Sequence, residues 1–148
     1  MASVPLAGTL LRRIGAEFVE RQNRQRGAGD ARRLMRSAAQ GQALAFFPEG
    51  TFGAEVGLRR FHIGAFAAAA RAQLPVVPIA IRGTRACLPP DHMLPRPGSV
   101  DVAVLNMITV PPAGDSAEEF ERAPRMRDAA RAALLAALHI PDLAARDA

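Results

Sequence analysis

The chain has no lysine, no tryptophan, no tyrosine and a single cysteine. Each absence excludes something. Single-stranded nucleic acid is held largely by stacking on aromatic rings. Here only phenylalanines remain for that task, and their apolar surroundings mark them as buried, so no nucleic-acid partner is expected. Cys87 alone cannot build an internal disulfide framework and fits a reducing compartment. No apolar run approaches the roughly 18 residues of a membrane span; Arg71 and several prolines interrupt the best candidate. The chain is therefore not expected to cross a bilayer on its own, which leaves it free to lie on one. The start, "MASVPLAGTLLRRIG", places its charges after the apolar residues, the reverse of a secretory signal. His62 and His92 have no metal-ligand spacing with each other or with Cys87, so no metal site is expected.

What is present fits one α/β domain spanning 1–148. The 148 residues suffice for a core, and the 49% apolar content argues against disorder. All 19 basic residues are arginine, and the net charge of +5 favours an anionic partner: a phosphate ester, an acidic membrane surface or nucleic acid. Leu6, Leu10, Leu11 and Ile14 recur at helical spacing. A short strand is predicted at 16–20 and a basic loop at 21–29. Asp30 can cap a helix over 31–40, which Gly41 can end. "ALAFF" (43–47) reads as a buried strand, 63–73 as a small-residue helix, and "VVPIAI" (76–81) as a second buried strand. The proline-rich stretch 82–98 reads as a loop and 99–110 as a strand. Ser116 and Glu119 have capping-box spacing for a short helix. Pro124 suits the first turn of another, which runs to about Leu138. His139 and Asp142, just beyond, read as surface residues. Alternating helices and apolar strands predict a mixed, mostly parallel sheet buried on both faces by helices.

In such sheets ligands gather at the carboxyl ends of strands. Pro48-Glu49-Gly50-Thr51 lies at such an end, as does Arg21 on the basic loop. A carboxylate there must be paired or hydrogen-bonded. Gly50 permits a sharp turn and the close approach of a ligand. Thr51 adds a hydroxyl, and a guanidinium fork at Arg21 matches the geometry of a phosphate. Taken singly, each piece has a plainer reading: a proline–glycine turn, and a solvated basic face.

The order of the pieces resembles the glycerolipid acyltransferase family, typified by 1-acyl-glycerol-3-phosphate acyltransferases. That family's second block is matched by Gly15-Ala16-Glu17-Phe18-Val19-Glu20-Arg21 and its third by Phe47-Pro48-Glu49-Gly50-Thr51-Phe52. Its fourth, a valine–proline-rich strand, is matched by Leu74-Pro75-Val76-Val77-Pro78-Ile79. The motifs cover about residues 5–110, and a helical tail follows at about 116–139. The resemblance implies a glycerol-3-phosphate acyltransferase-like fold and transfer of a fatty acyl group in phospholipid synthesis. The donor it implies is acyl-CoA or acyl carrier protein, with no further cofactor. The acceptor is a lysophospholipid or glycerol-phosphate-type hydroxyl. It also implies a cytoplasmic protein, peripheral on the inner face of the membrane. Arg21, Glu49, Gly50 and Thr51 become the expected substrate-binding residues.

Two departures accompany it. The family's first block is Asn-His followed by four residues and an aspartate; the histidine is the general base and the aspartate orients it. This sequence contains no such pattern: five residues after His62 comes Ala67, and five after His92 comes Pro97. Residues 1–10 match the part of the family just downstream of that block. The expectation is thus an amino-terminally incomplete domain, a truncated form with no catalytic residue to name. The alternative is a non-catalytic remnant that binds lipid headgroups or, less consistent with the composition, a basic nucleic-acid-binding module. The third block usually ends in arginine, which helps to hold an acceptor phosphate; here it ends in Phe52. Arg59 or Arg60 can substitute, or the acceptor lacks a phosphate.

Overall fold

The Pro48–Gly50 motif is anchored to a small helical layer laid over an antiparallel strand pair. The computed structural model describes residues 40–41, 43–50, 53–90, 92, 94–110 and 116–145, with side chains in the last segment from Phe120 onward. By its internal packing the chain divides into two units, Met1–Ala43 and Leu44–Ala148. The elements expected at 6–14 and 16–20 lie outside the described residues, as does all but the last residue of the helix expected over 31–40.

In the second unit, helix α1 (Gly64–Arg71) and strand β1 (Ile79–Arg82) are followed by a one-turn helix α2 (Thr84–Cys87). Strand β2 (Asp101–Val104) and the long helix α3 (Ser116–Leu138) complete it. α2 falls within the stretch read as a loop. The strand expected at 43–47 is not formed: this segment joins no ladder, and Phe47 is 81% exposed. A short apolar run acquires strand structure only if a neighbour pairs with it, and none among the described residues does.

α3 and α1 pack against each other, and α3 also lies on β1. Phe66 and Ala70 of α1 sit one turn apart and are buried, as are Arg122, Met126 and Ala130 at the same spacing on α3. Leu58 and Phe61 complete the centre, with Val76, Ile108 and Leu134 around it. The Phe61 and Phe66 rings stack at 6.3 Å between centroids. Met126 is fully buried, worth about 1.5–3 kcal/mol by area.

α3 is one helix where two are predicted, and Pro124 lies inside it. Proline removes a backbone bond to the residue four earlier. That residue is Phe120, which is 84% exposed, so water can satisfy its carbonyl. Packing of Met126 and Ala130 holds the helix through the break. It ends at His139, which takes the left-handed conformation (φ 53°) with its N–H bonded to Leu135 O.

The described ladder is antiparallel, pairing Ile79 with Val104 and Ile81 with Val102; the mostly parallel arrangement expected from the sequence is not displayed there. An isolated bridge joins Val76 to Ile108. Two residues separate Val76 from Ile79, but three separate Val104 from Ile108, so the second strand bulges by one residue. The bulge lies beside Pro78, which has no N–H to give to a ladder. One face of the pair, Ala80 and Ala103, turns inward, and α3 rests on β1. The other carries Ile79, Ile81, Val102 and Val104, each at least 41% exposed. Burial on both faces is therefore corrected for this pair.

Candidate functional site

Phe47, Pro48, Glu49 and Gly50 form a β-turn closed by a 3.1 Å bond from Gly50 N–H to Phe47 O. Proline occupies the second position, where its fixed φ suits the turn. Glu49, at the third, keeps a negative φ, which excludes a type II turn. Gly50 exits at φ +72°, a conformation glycine adopts without strain. A one-residue local rule thus makes the turn that the motif predicts.

The turn is tied to the segment ten residues on. His62 N–H donates to Pro48 O at 2.9 Å. Arg59 N–H donates to Glu49 Oε2 at 2.9 Å, which satisfies one oxygen of the half-buried carboxylate. The guanidinium of Arg59 folds back onto Gly53, so close that a Cβ there would lie 2.6 Å from its Nη2. Arg85, from α2, donates to the carbonyls of Gly53 and Ala54 at 2.9 Å each and of Glu55 at 3.3 Å.

Arg131 of α3 holds the far end of the same loop. Its Nη2 donates to Leu58 O at 3.1 Å and its Nε to Arg59 O at 3.3 Å. The fork also grips Asp142: Nη1 donates to Oδ2 at 2.8 Å and Nη2 to Oδ1. Asp142 Oδ1 in turn accepts the N–H groups of Ala144 and Ala145. The Arg131 hydrogen bonds come first in holding the Asp142 carboxyl down to about 2. The same pairing raises the Arg131 guanidinium, with a smaller contribution from the charge of Glu49. Residues 141–143 run alongside Leu58 as a short parallel bridge, with Leu58 N–H on Pro141 O at 2.9 Å and Leu143 N–H on Leu58 O at 3.0 Å.

Of the four expected substrate-binding residues, Glu49 and Gly50 form this turn together; Arg21 and Thr51 lie outside the described residues. Arg59, not Arg60, is placed against the loop that follows Phe52. Asp142 is not a bystander on the surface but half of the Arg131 pair. Arg131 does not stand out in the sequence, where it is one arginine among 19. Cys87 is a free, half-buried thiol with its Sγ 4.0 Å from Ser99 O. Among the described residues, no group of three His, Cys, Asp or Glu side chains could hold a metal ion. No helix there is long and apolar enough to cross a membrane.

A model of the family described as Acyltransferase matches residues 1–82, more than half of the chain. The chain belongs to the acyltransferase family. The matched part contains Arg21 and the whole Pro48–Thr51 motif and ends at the last residue of β1. This acyltransferase-family chain is 31% identical to a 1-acyl-sn-glycerol-3-phosphate acyltransferase of Chlamydomonas reinhardtii, over 91% of its own length and 38% of the relative's. It is 33% identical to a chloroplastic 1-acyl-sn-glycerol-3-phosphate acyltransferase of Brassica napus, over 58% of its length and 25% of the relative's. It is 37% identical to a lyso-ornithine lipid O-acyltransferase of Pseudomonas aeruginosa, over 66% and 37%. The chain thus spans between a quarter and two-fifths of the length of these three relatives. No solved structure matches it significantly.

Proposed function

We propose that this chain supplies the acceptor-binding side of an acyl transfer. A fatty acyl group passes from the thioester of acyl-CoA or acyl carrier protein to the hydroxyl of a lysolipid. The observation that supports this most is the Glu49 turn. Its carboxylate is fixed by Arg59 N–H, and the Arg59 guanidinium lies against the adjoining loop at Gly53. Oε2 is committed to that bond, which leaves Oε1 to accept from an acceptor hydroxyl. Arg59 carries positive charge beside the turn, Gly50 keeps the turn open to close approach, and the family resemblance assigns Arg21 to an acceptor phosphate. Thr51 offers a hydroxyl. The acceptor hydroxyl must lose its proton as it attacks the thioester carbonyl, and the chain's 148 residues contain no His-x4-Asp pair to take it. In this reading the chain binds and orients but does not itself turn over. The net charge of +5 suits work at the anionic inner face of a membrane, on the cytoplasmic side.

A second acceptor class is favoured by Phe52, which stands where the family has an arginine. The Pseudomonas relative is named a lyso-ornithine lipid O-acyltransferase. Equilibrium binding of short-chain lysophosphatidate and lyso-ornithine lipid, below their micellar concentrations, separates the two. If phosphate is read by the arginines, Arg21→Ala and Arg59→Ala each remove a charge-assisted bond of roughly 1.5–3 kcal/mol. Lysophosphatidate affinity should then fall by about ten- to a hundredfold while the ornithine lipid is little affected. Equal losses on both ligands would contradict phosphate recognition, and tighter binding of the ornithine lipid by the parent chain would establish the second class.

A further inference from the structure

Three arginines hold the loop that follows the acceptor turn, and two of them come from beyond the family-matched residues 1–82. Arg85 caps the carbonyls of residues 53–55. Arg131 caps those of Leu58 and Arg59. The second arrangement has a consequence at the turn. The peptide unit that carries the Arg59 N–H donated to Glu49 Oε2 has Leu58 O as its carbonyl, and that oxygen accepts from Arg131 Nη2. A guanidinium on a flexible stem fixes a backbone only if something fixes the guanidinium. Asp142 does so with both oxygens, and is itself held by two backbone N–H groups and by the pairing of residues 141–143 with Leu58. The order of dependence is Asp142, Arg131, the Leu58–Arg59 backbone, then Glu49.

We propose that Arg131 and Asp142 are positioning residues of the acceptor site: their bidentate pair clamps the Leu58–Arg59 backbone and so fixes the Glu49 carboxylate. The inference rests on the reading of Glu49 as an acceptor-binding residue. It places control of that residue in the carboxyl-terminal helix and tail, 82 and 93 positions further along the chain (131 − 49 and 142 − 49). A planar fork is needed because two carbonyls and a carboxylate are engaged at once, which an ammonium cannot reproduce.

Asp142→Asn is the discriminating variant, because asparagine can keep its Oδ1 on the N–H groups of Ala144 and Ala145 while it loses the charge and turns the acceptor of Arg131 Nη1 into a donor amide. Amide hydrogen exchange by NMR on the full chain reads the result without any acceptor. Arg59 N–H should exchange about tenfold faster in Asp142→Asn and in Arg131→Lys, while Met126 and Ala130 N–H in α3 keep their protection. Asp142→Glu, which retains a carboxylate, should recover part of the Arg59 protection. Unchanged exchange at Arg59 would overturn the proposal. So would a rise at Arg59 matched by Met126 and Ala130, because that is loss of global stability and not of a local clamp. Lysophosphatidate affinity of the parent chain and of Asp142→Asn, measured alongside, should fall several-fold in the variant; an unchanged affinity with faster Arg59 exchange would also overturn the positioning role. If the parent chain binds neither lysophosphatidate nor lyso-ornithine lipid, the acceptor reading fails, and exchange at Arg59 still decides whether the clamp exists.

Discussion

Asp142 is the residue whose chemistry has the clearest signature. Its carboxyl is held at about 2 against an ordinary 3.8, chiefly by the Arg131 hydrogen bonds. A carboxyl with a depressed native value binds its proton less readily when folded than when unfolded. Its contribution to stability is therefore complete above about pH 4 and is lost as the pH falls towards 2. Thermal midpoints of the parent chain and Asp142→Asn should differ by a constant amount at pH 5–7 and converge between about pH 4 and 2. A difference that persists unchanged at pH 2 would show that the ion pair is not its source. Gly57 makes a second residue-scale case. A Cβ there would lie 2.6 Å from Leu143 Cγ and 2.8 Å from Pro141 O, inside the approach that brings the tail to Leu58. Gly57→Ala should cost about 1–3 kcal/mol in chemical denaturation, the usual range for overpacking. A neutral result would mean that the tail can shift at no cost.

At the scale of elements, α3 and the tail differ most from what the sequence implies. Ser116, Glu119 and Pro124 follow the local rules for a short helix, a break and a new start. Local rules cannot register that Met126 and Ala130 are buried in one continuous stripe against α1, nor that Phe120 is exposed, where water can satisfy the carbonyl that Pro124 leaves unpaired. If α3 is continuous, Pro124→Ala restores a backbone bond and should raise the unfolding free energy by about 2 kcal/mol, read from the denaturant midpoint. Were Pro124 instead the first turn of a separate helix, the change would be neutral. The Pro48–Gly50 turn shows the opposite situation. Proline fixes its own φ and glycine permits the positive φ at the exit, so the turn is legible from three residues. The strand expected at 43–47 is not, because pairing needs a neighbour that an apolar run cannot specify. The clamp is equally hidden: Asp142 meets Arg131 and Leu58 only after the chain has turned at His139 and come back along residues 141–143. The exposed face of the β1–β2 pair has the same origin, since apolar composition marks Ile79, Ile81, Val102 and Val104 as burial candidates without supplying anything to bury them.

For the whole molecule, the family is established by the match over residues 1–82, and the motifs that carry the resemblance lie mostly within that stretch. The remainder, from α2 to the tail, is what fastens the loop after the Pro48–Gly50 turn: Arg85 at one end, Arg131 with Asp142 at the other. The proposed function separates binding from chemistry in this chain. It holds the expected acceptor residues Arg21, Glu49, Gly50 and Thr51, and no His-x4-Asp pair occurs among its 148 residues. Loss of a positioned general base typically costs 10²- to 10⁴-fold in rate. The most direct test is a single experiment on the purified chain with labelled lysophosphatidate or lyso-ornithine lipid and acyl-CoA, in which bound acceptor and acylated product are measured together. The predicted result is saturable acceptor binding, with product no greater than in a protein-free control. Product formed well above that control, or the absence of saturable binding to either acceptor, would contradict the account.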